Sequence, residues 1–103
     1  MTANRIDIAR NLKIIEGLKV QLLSATAELF SGLYRGQEDN VLDALSAAVV
    51  ILFSMADRLG VSIRSLDLAV EEKLQERAVN PDNSLRHFEA ELLDYWRGRQ
   101  KNE

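Results

Sequence analysis

The sequence predicts an all-α fold, a four- to five-helix antiparallel bundle whose core is completed by oligomerisation. Three observations carry that prediction. Apolar residues recur every seven positions at Ile8, Ile15, Leu22 and Leu29, the spacing of one face of a long helix. A single proline, Pro81, interrupts 103 residues, and no alternating apolar–polar pattern marks a strand. Between Ala44 and Ala56 the only polar residues are Ser46 and Ser54. A helix apolar on all sides must be covered on all sides. A chain of this size buries only about 60–70% of its unfolded surface and has little of its own to cover such a helix with. The simplest cover is a second copy, so a homodimer or a dimer of dimers is expected, with Val49, Leu52 and Phe53 at its centre.

The first helix should run from about residue 6 to 33, with Leu12, Leu18, Ala25 and Leu33 beside the seven-residue stripe. Gly17 inside it costs about 1 kcal/mol relative to alanine, so a break or bend is expected there. Gly32 and Gly36 bracket its end, with Arg35 suited to the negative pole of the helix dipole. The second helix should begin near Glu38 and Asp39, which suit the positive pole. Val41, Leu45, Ala48, Leu52, Met55 and Leu59 form one stripe, and Leu42, Val49, Phe53 and Ala56 form another. Gly60 is a natural stop, and a third helix should follow Ser62 or Ser65. Leu66, Ala69, Val70, Lys73, Leu74 and Arg77 mark its inner and flanking positions. Asn80-Pro81-Asp82-Asn83 reads as a linker. Ser84 should cap a last helix over 85–98 bearing Leu85, Phe88, Leu92, Tyr95 and Trp96, and 99–103 should fray. The whole is expected to be one domain, with an N-terminal helical region over 1–20, a core over 21–78 and the linker over 79–84.

Composition narrows the class. Apolar residues make up 47% and charged residues 28%, as in ordinary globular proteins. A net charge of −3 is unlike a nucleic-acid footprint. The absence of cysteine excludes disulfides and thiolate metal sites. MTANRIDIARN has no apolar signal core, and the 44–56 run is shorter than the roughly 20 residues of a membrane span. A cytoplasmic protein without nucleic-acid or membrane partners is therefore expected. No G-x-S-x-G, P-loop or dinucleotide fingerprint is present.

Ala56-Asp57-Arg58-Leu59-Gly60-Val61 follows the apolar helix, and the amphipathic segment from Leu66 to Arg77 ends EEKLQER. With the upstream AELFSGLYRG (Ala27 to Gly36), this order resembles the MazG-like proteins of the all-α nucleoside triphosphate pyrophosphohydrolase superfamily. The resemblance spans about residues 22–77. It implies two acidic pairs, E-x-x-E on one helix and E-x-x-D on the next. Carboxylates three apart share a helix face. Two opposed faces hold Mg²⁺ through hard oxygen ligands, and the metal neutralises phosphate charge and activates water. Aligned here, the first pair becomes Ala25 and Glu28, and the second becomes Ala44 and Ala47. One carboxylate remains. The resemblance therefore implies a non-catalytic relative with a binding or regulatory role, no catalytic residue and no cofactor. The alternative is an Mg²⁺-dependent pyrophosphohydrolase recruiting Glu28, Asp39 and Asp43. On either reading a nucleotide is a possible ligand, and Lys73 matches a lysine of the family that meets phosphate. A helical adaptor without a nucleotide link is a further possibility.

The remaining polar residues read more plainly. Glu38, Asp39 and Asp43 suit a helix N-terminus. Asp57 and Arg58 should form the solvent-facing end of the central helix. Asp67, Glu71, Glu72 and Glu76 should form a solvated acidic face. His87 has no clear partner by sequence, and Arg97, Arg99 and Lys101 suit solubility better than phosphate binding. Trp96 suits a core or interface anchor.

Overall fold

The computed structural model describes the backbone of residues 2–101 and the side chains of 8–99. It contains four helices, α1 (Thr2–Arg35), α2 (Glu38–Arg58), α3 (Ile63–Val79) and α4 (Arg86–Lys101). No strand occurs among the described residues. Two compact units divide after Ser62, α1 packing on α2 in the first and α3 on α4 in the second. The side chains of Ile6 and Lys101, and the terminal Asn102 and Glu103, lie outside the described residues.

The connection between α1 and α2 is short enough to force them antiparallel. At the closed end, the Gln37 N–H donates to the Gly32 carbonyl (2.9 Å) and the Gly36 N–H to that of Leu33 (3.4 Å), with Gly36 at φ 67°. This double bond around a left-handed glycine satisfies the carbonyls at the helix end. Gly60 does the same for α2 at φ 83°, with Val61 N–H to Ala56 O (2.8 Å) and Gly60 N–H to Asp57 O (3.1 Å). At the open end, the Asn11 amide donates to the Arg58 carbonyl at 2.7 Å. No break occurs at Gly17. α1 runs unbroken through it, because Gly17 is exposed and the 34-residue helix continues for several turns on both sides.

The seam between these helices is made of small residues. Gly32, Ala25 and Ala44 are buried along with Ile51. A Cβ on Gly32 would sit 3.0 Å from Val41 Cγ2, so a larger residue there would press on Val41, and glycine lets the helices approach. The larger side chains of α2 point elsewhere: Leu42, Leu45, Val49, Val50 and Leu52 are all exposed. Ser46 and Ser54 donate to the carbonyls of Leu42 and Val50, four residues back, at 2.8 and 2.9 Å. α2 has 21 residues and a mean hydropathy of 1.6 over its most apolar window, so by length and composition alone it could cross a membrane. The helix is thus longer than the apolar run on which the sequence expectation rested.

The second hairpin is tied by charge. Cross-helix ion pairs join Arg97 to Glu71 (3.2 Å), Arg99 to Asp67 (3.5 Å) and Arg77 to Glu89. Leu74 and Leu93 are the apolar residues buried between them. The Arg99 guanidinium also stacks 4.4 Å from the Trp96 ring centroid. Two expectations are corrected here. Asp67 and Glu71 do not belong to a solvated acidic face, although Glu72 and Glu76 are exposed. Arg97 and Arg99 do not lie on a fraying tail: α4 continues to Lys101 because both arginines bond acids on α3. The α4 cap is also corrected. Asn83 Oδ1, not Ser84, accepts the Leu85 N–H at 3.1 Å. The Asn83 amide donates to Arg77 O and to Glu89 Oε1, each at 2.8 Å, so one side chain clasps the turn to both helices.

The hydrogen bonds from Arg77 and Asn83 hold the Glu89 carboxyl below its ordinary pKa, against the opposing effect of burial. A carboxylate with a lowered folded-state pKa adds stability above its unfolded value and loses it as pH falls through the folded one. Urea melts should therefore show Glu89→Gln less stable than wild type at neutral pH. The difference should shrink steadily below about pH 4.

Candidate functional site

A polar cleft lies at the closed end of the first hairpin. Glu28, Ser31 and Arg35 line it from α1, Asn40 and Asp43 from α2, and Gln37 from the turn, around a cavity of about 320 Å³. The sequence builds it simply. Positions 28, 31 and 35 recur at helical spacing and share one face. Asn40 and Asp43 are three apart on α2, and the double-bonded turn at Gly36 fixes the register between the helices. Gln37 Oε1 accepts from the Asn40 amide at 2.7 Å, which orders the rim.

The structure brings together Glu28 and Asp43, two of the three acids singled out from sequence. It leaves Asp39 off the cleft, exposed in the first turn of α2. Among the described residues no three of His, Cys, Asp and Glu form a group able to hold a metal ion. Arg35 lines the same cleft, and its fixed positive charge opposes a bound cation. These residues do not suit a Mg²⁺ site of the family's type, because one guanidinium faces two carboxylates where four carboxylates belong.

The aligned alanines do something different. Ala25 is 5% exposed and Ala44 only 1%, so both are core of the α1–α2 seam. Ala47 is half-buried. Two of the positions that the resemblance aligns with metal ligands, Ala25 and Ala44, are packing positions. Of the residues assigned to the oligomer, Val49 (54% exposed) and Leu52 (48% exposed) face away from α1, and Phe53 is half-buried. Lys73 is exposed on α3 in the second unit, and His87 is exposed in the first turn of α4. Sequence reasoning passed over Ser31, Arg35, Gln37 and Asn40. The signal was available for two of them, since Ser31 and Arg35 lie three and seven residues beyond Glu28, on its face.

These features define an all-α protein of helical hairpins, with a polar cleft between α1 and α2 lined by Glu28, Arg35 and Asp43. The chain matches the MazG-like family over residues 8–92, and it belongs to that family. It is thereby related to the nucleotide pyrophosphohydrolases. The match extends beyond the 22–77 core of the resemblance at both ends. No curated protein and no solved structure matches the chain.

Ala44→Glu places a carboxylate in the closest part of the seam. An unpaired buried charge costs several kcal/mol, comparable to the stability of a small domain. Thermal melts should show Ala44→Glu largely unfolded, whereas Ala47→Glu at its half-buried position should remain folded.

Proposed function

We propose that the chain is a non-catalytic member of the MazG-like family, acting as a homo-oligomeric binding or regulatory module. One observation carries the reading: Ala25 and Ala44, aligned with metal-ligand positions, are buried in the seam that holds α1 to α2. Packing has taken over the site. A functional Mg²⁺ centre there would need carboxylates where the hairpin needs methyl groups. On this reading no cofactor is required, and the protein works in the cytoplasm through its cleft and its apolar faces.

The oligomer is proposed on the same hairpin. Two helices alone enclose only a thin core, and no large side chain among the described residues is fully buried. Leu42, Leu45, Val49 and Leu52 remain outward on α2. Burying such a side chain is worth about 1.5–3 kcal/mol, so a partner covering several of them binds stably. A protein surface suits this face better than lipid. α1 lies alongside α2 and carries the exposed Lys19–Glu16 ion pair, together with the exposed Lys13 and Glu28. An α2 inserted in a bilayer would carry those charges in with it. We therefore assign the face to a second copy, as a homodimer or dimer of dimers.

A second reading has one observation in its favour. Glu28 and Asp43 share the cleft, so an Mg²⁺-dependent nucleoside triphosphate pyrophosphohydrolase using these two acids is the alternative, with Lys73 as the phosphate contact implied by the family resemblance. Titration calorimetry with Mg²⁺ and Mn²⁺, alongside a pyrophosphate-release assay on common triphosphates, separates the two. The proposal expects no saturable metal binding and release near background. Saturable binding with turnover abolished by Glu28→Ala would establish the hydrolase instead.

For the oligomer, light scattering should give the wild type a mass at least twice that of one chain. Val49→Asp should lower it to a single chain while helicity is retained, because Val49 is exposed within the hairpin. Wild-type mass in both Val49→Asp and Phe53→Asp would remove the central interface.

A further inference from the structure

A second cleft lies at the opposite, open end of the first hairpin, about 22 Å from Asp43 by helical rise. Its cavity of about 460 Å³ is lined by Ile8, Arg10 and Asn11 from α1 and Arg58 from α2. We propose that this cleft is an anion site that takes the phosphate chain of a phosphorylated small molecule. The proposal goes beyond the reading above, since it needs neither a metal nor the Glu28–Asp43 cleft.

The chemistry converges from three directions. Arg10 and Arg58 bring guanidinium groups from two helices to one cavity, with no acid lining it among the described residues. Two like charges held together repel, and an anion between them relieves the repulsion. Guanidinium presents a planar fork of donors that matches phosphate oxygens. Arg10 has no ion-pair partner among the described residues. Arg58 has only Asp57, at 3.8 Å from Nε, where the two side chains are 46% and 76% exposed. Such a pair is worth little, so the Arg58 guanidinium can turn to a ligand, and Arg10 is exposed beside it on α1.

The end of a helix ordinarily repels an anion, because its last carbonyls are unpaired. Here those carbonyls are occupied. Gly60 and Val61 N–H groups bond Asp57 O and Ala56 O, and the Asn11 amide bonds Arg58 O. The Asn11 bond also ties α1 to α2 at this point, so the two helix segments that carry Arg10 and Arg58 are held together. The cavity has room for roughly fifteen waters at about 30 Å³ each, enough for a hydrated phosphate chain. The closed-end cleft offers the opposite chemistry, since Glu28 and Asp43 would repel phosphate.

The test is calorimetric titration of the full chain with inorganic pyrophosphate, with chelator present and at low ionic strength. Saturable binding is expected, weakened about tenfold or more by Arg10→Gln and by Arg58→Gln, and falling with added salt. Both residues are exposed, so helicity should be unchanged in each variant. Absence of saturable binding overturns the proposal, as does an affinity unchanged by both substitutions. Loss of binding in Lys73→Gln with none in Arg10→Gln or Arg58→Gln would move the phosphate contact to α3 and likewise overturn it. None of these outcomes bears on Mg²⁺ binding or hydrolysis, so this site and the non-catalytic reading fail separately.

Discussion

The close contact between α1 and α2 governs the rest of the first unit. It is built from glycine and alanine, with Gly32 against Val41 and with Ala25 and Ala44 buried. Small residues let two backbones approach. They also remove little apolar surface from water, because burial stabilises in proportion to area. Ile51 is buried in the seam, but Leu42, Leu45, Val49, Val50 and Leu52 stand on the outer faces of the hairpin. Ala25 and Ala44 thus fill the aligned metal-ligand positions and set the outward display of leucine and valine. Our reading of the chain as a non-catalytic oligomer joins these two effects of the same packing.

The second unit solves the same problem differently. Its helices meet through ion pairs and one clasping asparagine rather than through a tight seam. Exposed ion pairs contribute little, yet the acids here are shielded: the Asp67 side chain is 11% exposed and that of Glu89 is 12%. Shielding strengthens attraction but also demands complete satisfaction. Asp67 Oδ1 and the Trp96 indole nitrogen are buried without a hydrogen-bond partner, although Arg99 stands within 3.5 Å of the first and over the ring of the second. Arg99 is thus the cation that lies against both of these buried groups.

Much of the fold was legible in the sequence. The helix stops at Gly36 and Gly60 could be read because both need a left-handed conformation that glycine adopts freely. The start of α2 was marked by Glu38 and Asp39, and the linker by Asn80-Pro81-Asp82-Asn83. What could not be read were the pairings across helices. Nothing local distinguishes Asp67 from Glu72, yet one faces α4 and the other faces water. Ser84 and Asn83 are both good caps, and the choice fell on Asn83 because its amide also reaches Glu89. The Glu28–Asp43 cleft was half legible: the two acids stood out, but Arg35 had already been explained by the helix dipole. Arg58 reads as the solvent-facing end of its helix, since Arg10 lies 48 residues away in the chain and shares a cavity with it only at the open end of the hairpin.

Ser46 and Ser54 each spend their hydroxyl proton on their own helix. Between Ala44 and Ala56 the helix therefore offers no free donor, and its surface behaves as smooth hydrocarbon despite the two serines. A polar pair buried at an interface fixes orientation, because misalignment leaves it unmatched. A surface without one leaves orientation to the shapes of Leu42, Leu45, Val49 and Leu52 alone. Whatever covers that face is selected by knobs and hollows rather than by a polar code. A single change of side-chain branching there could rotate or slide the companion helix without weakening its hold.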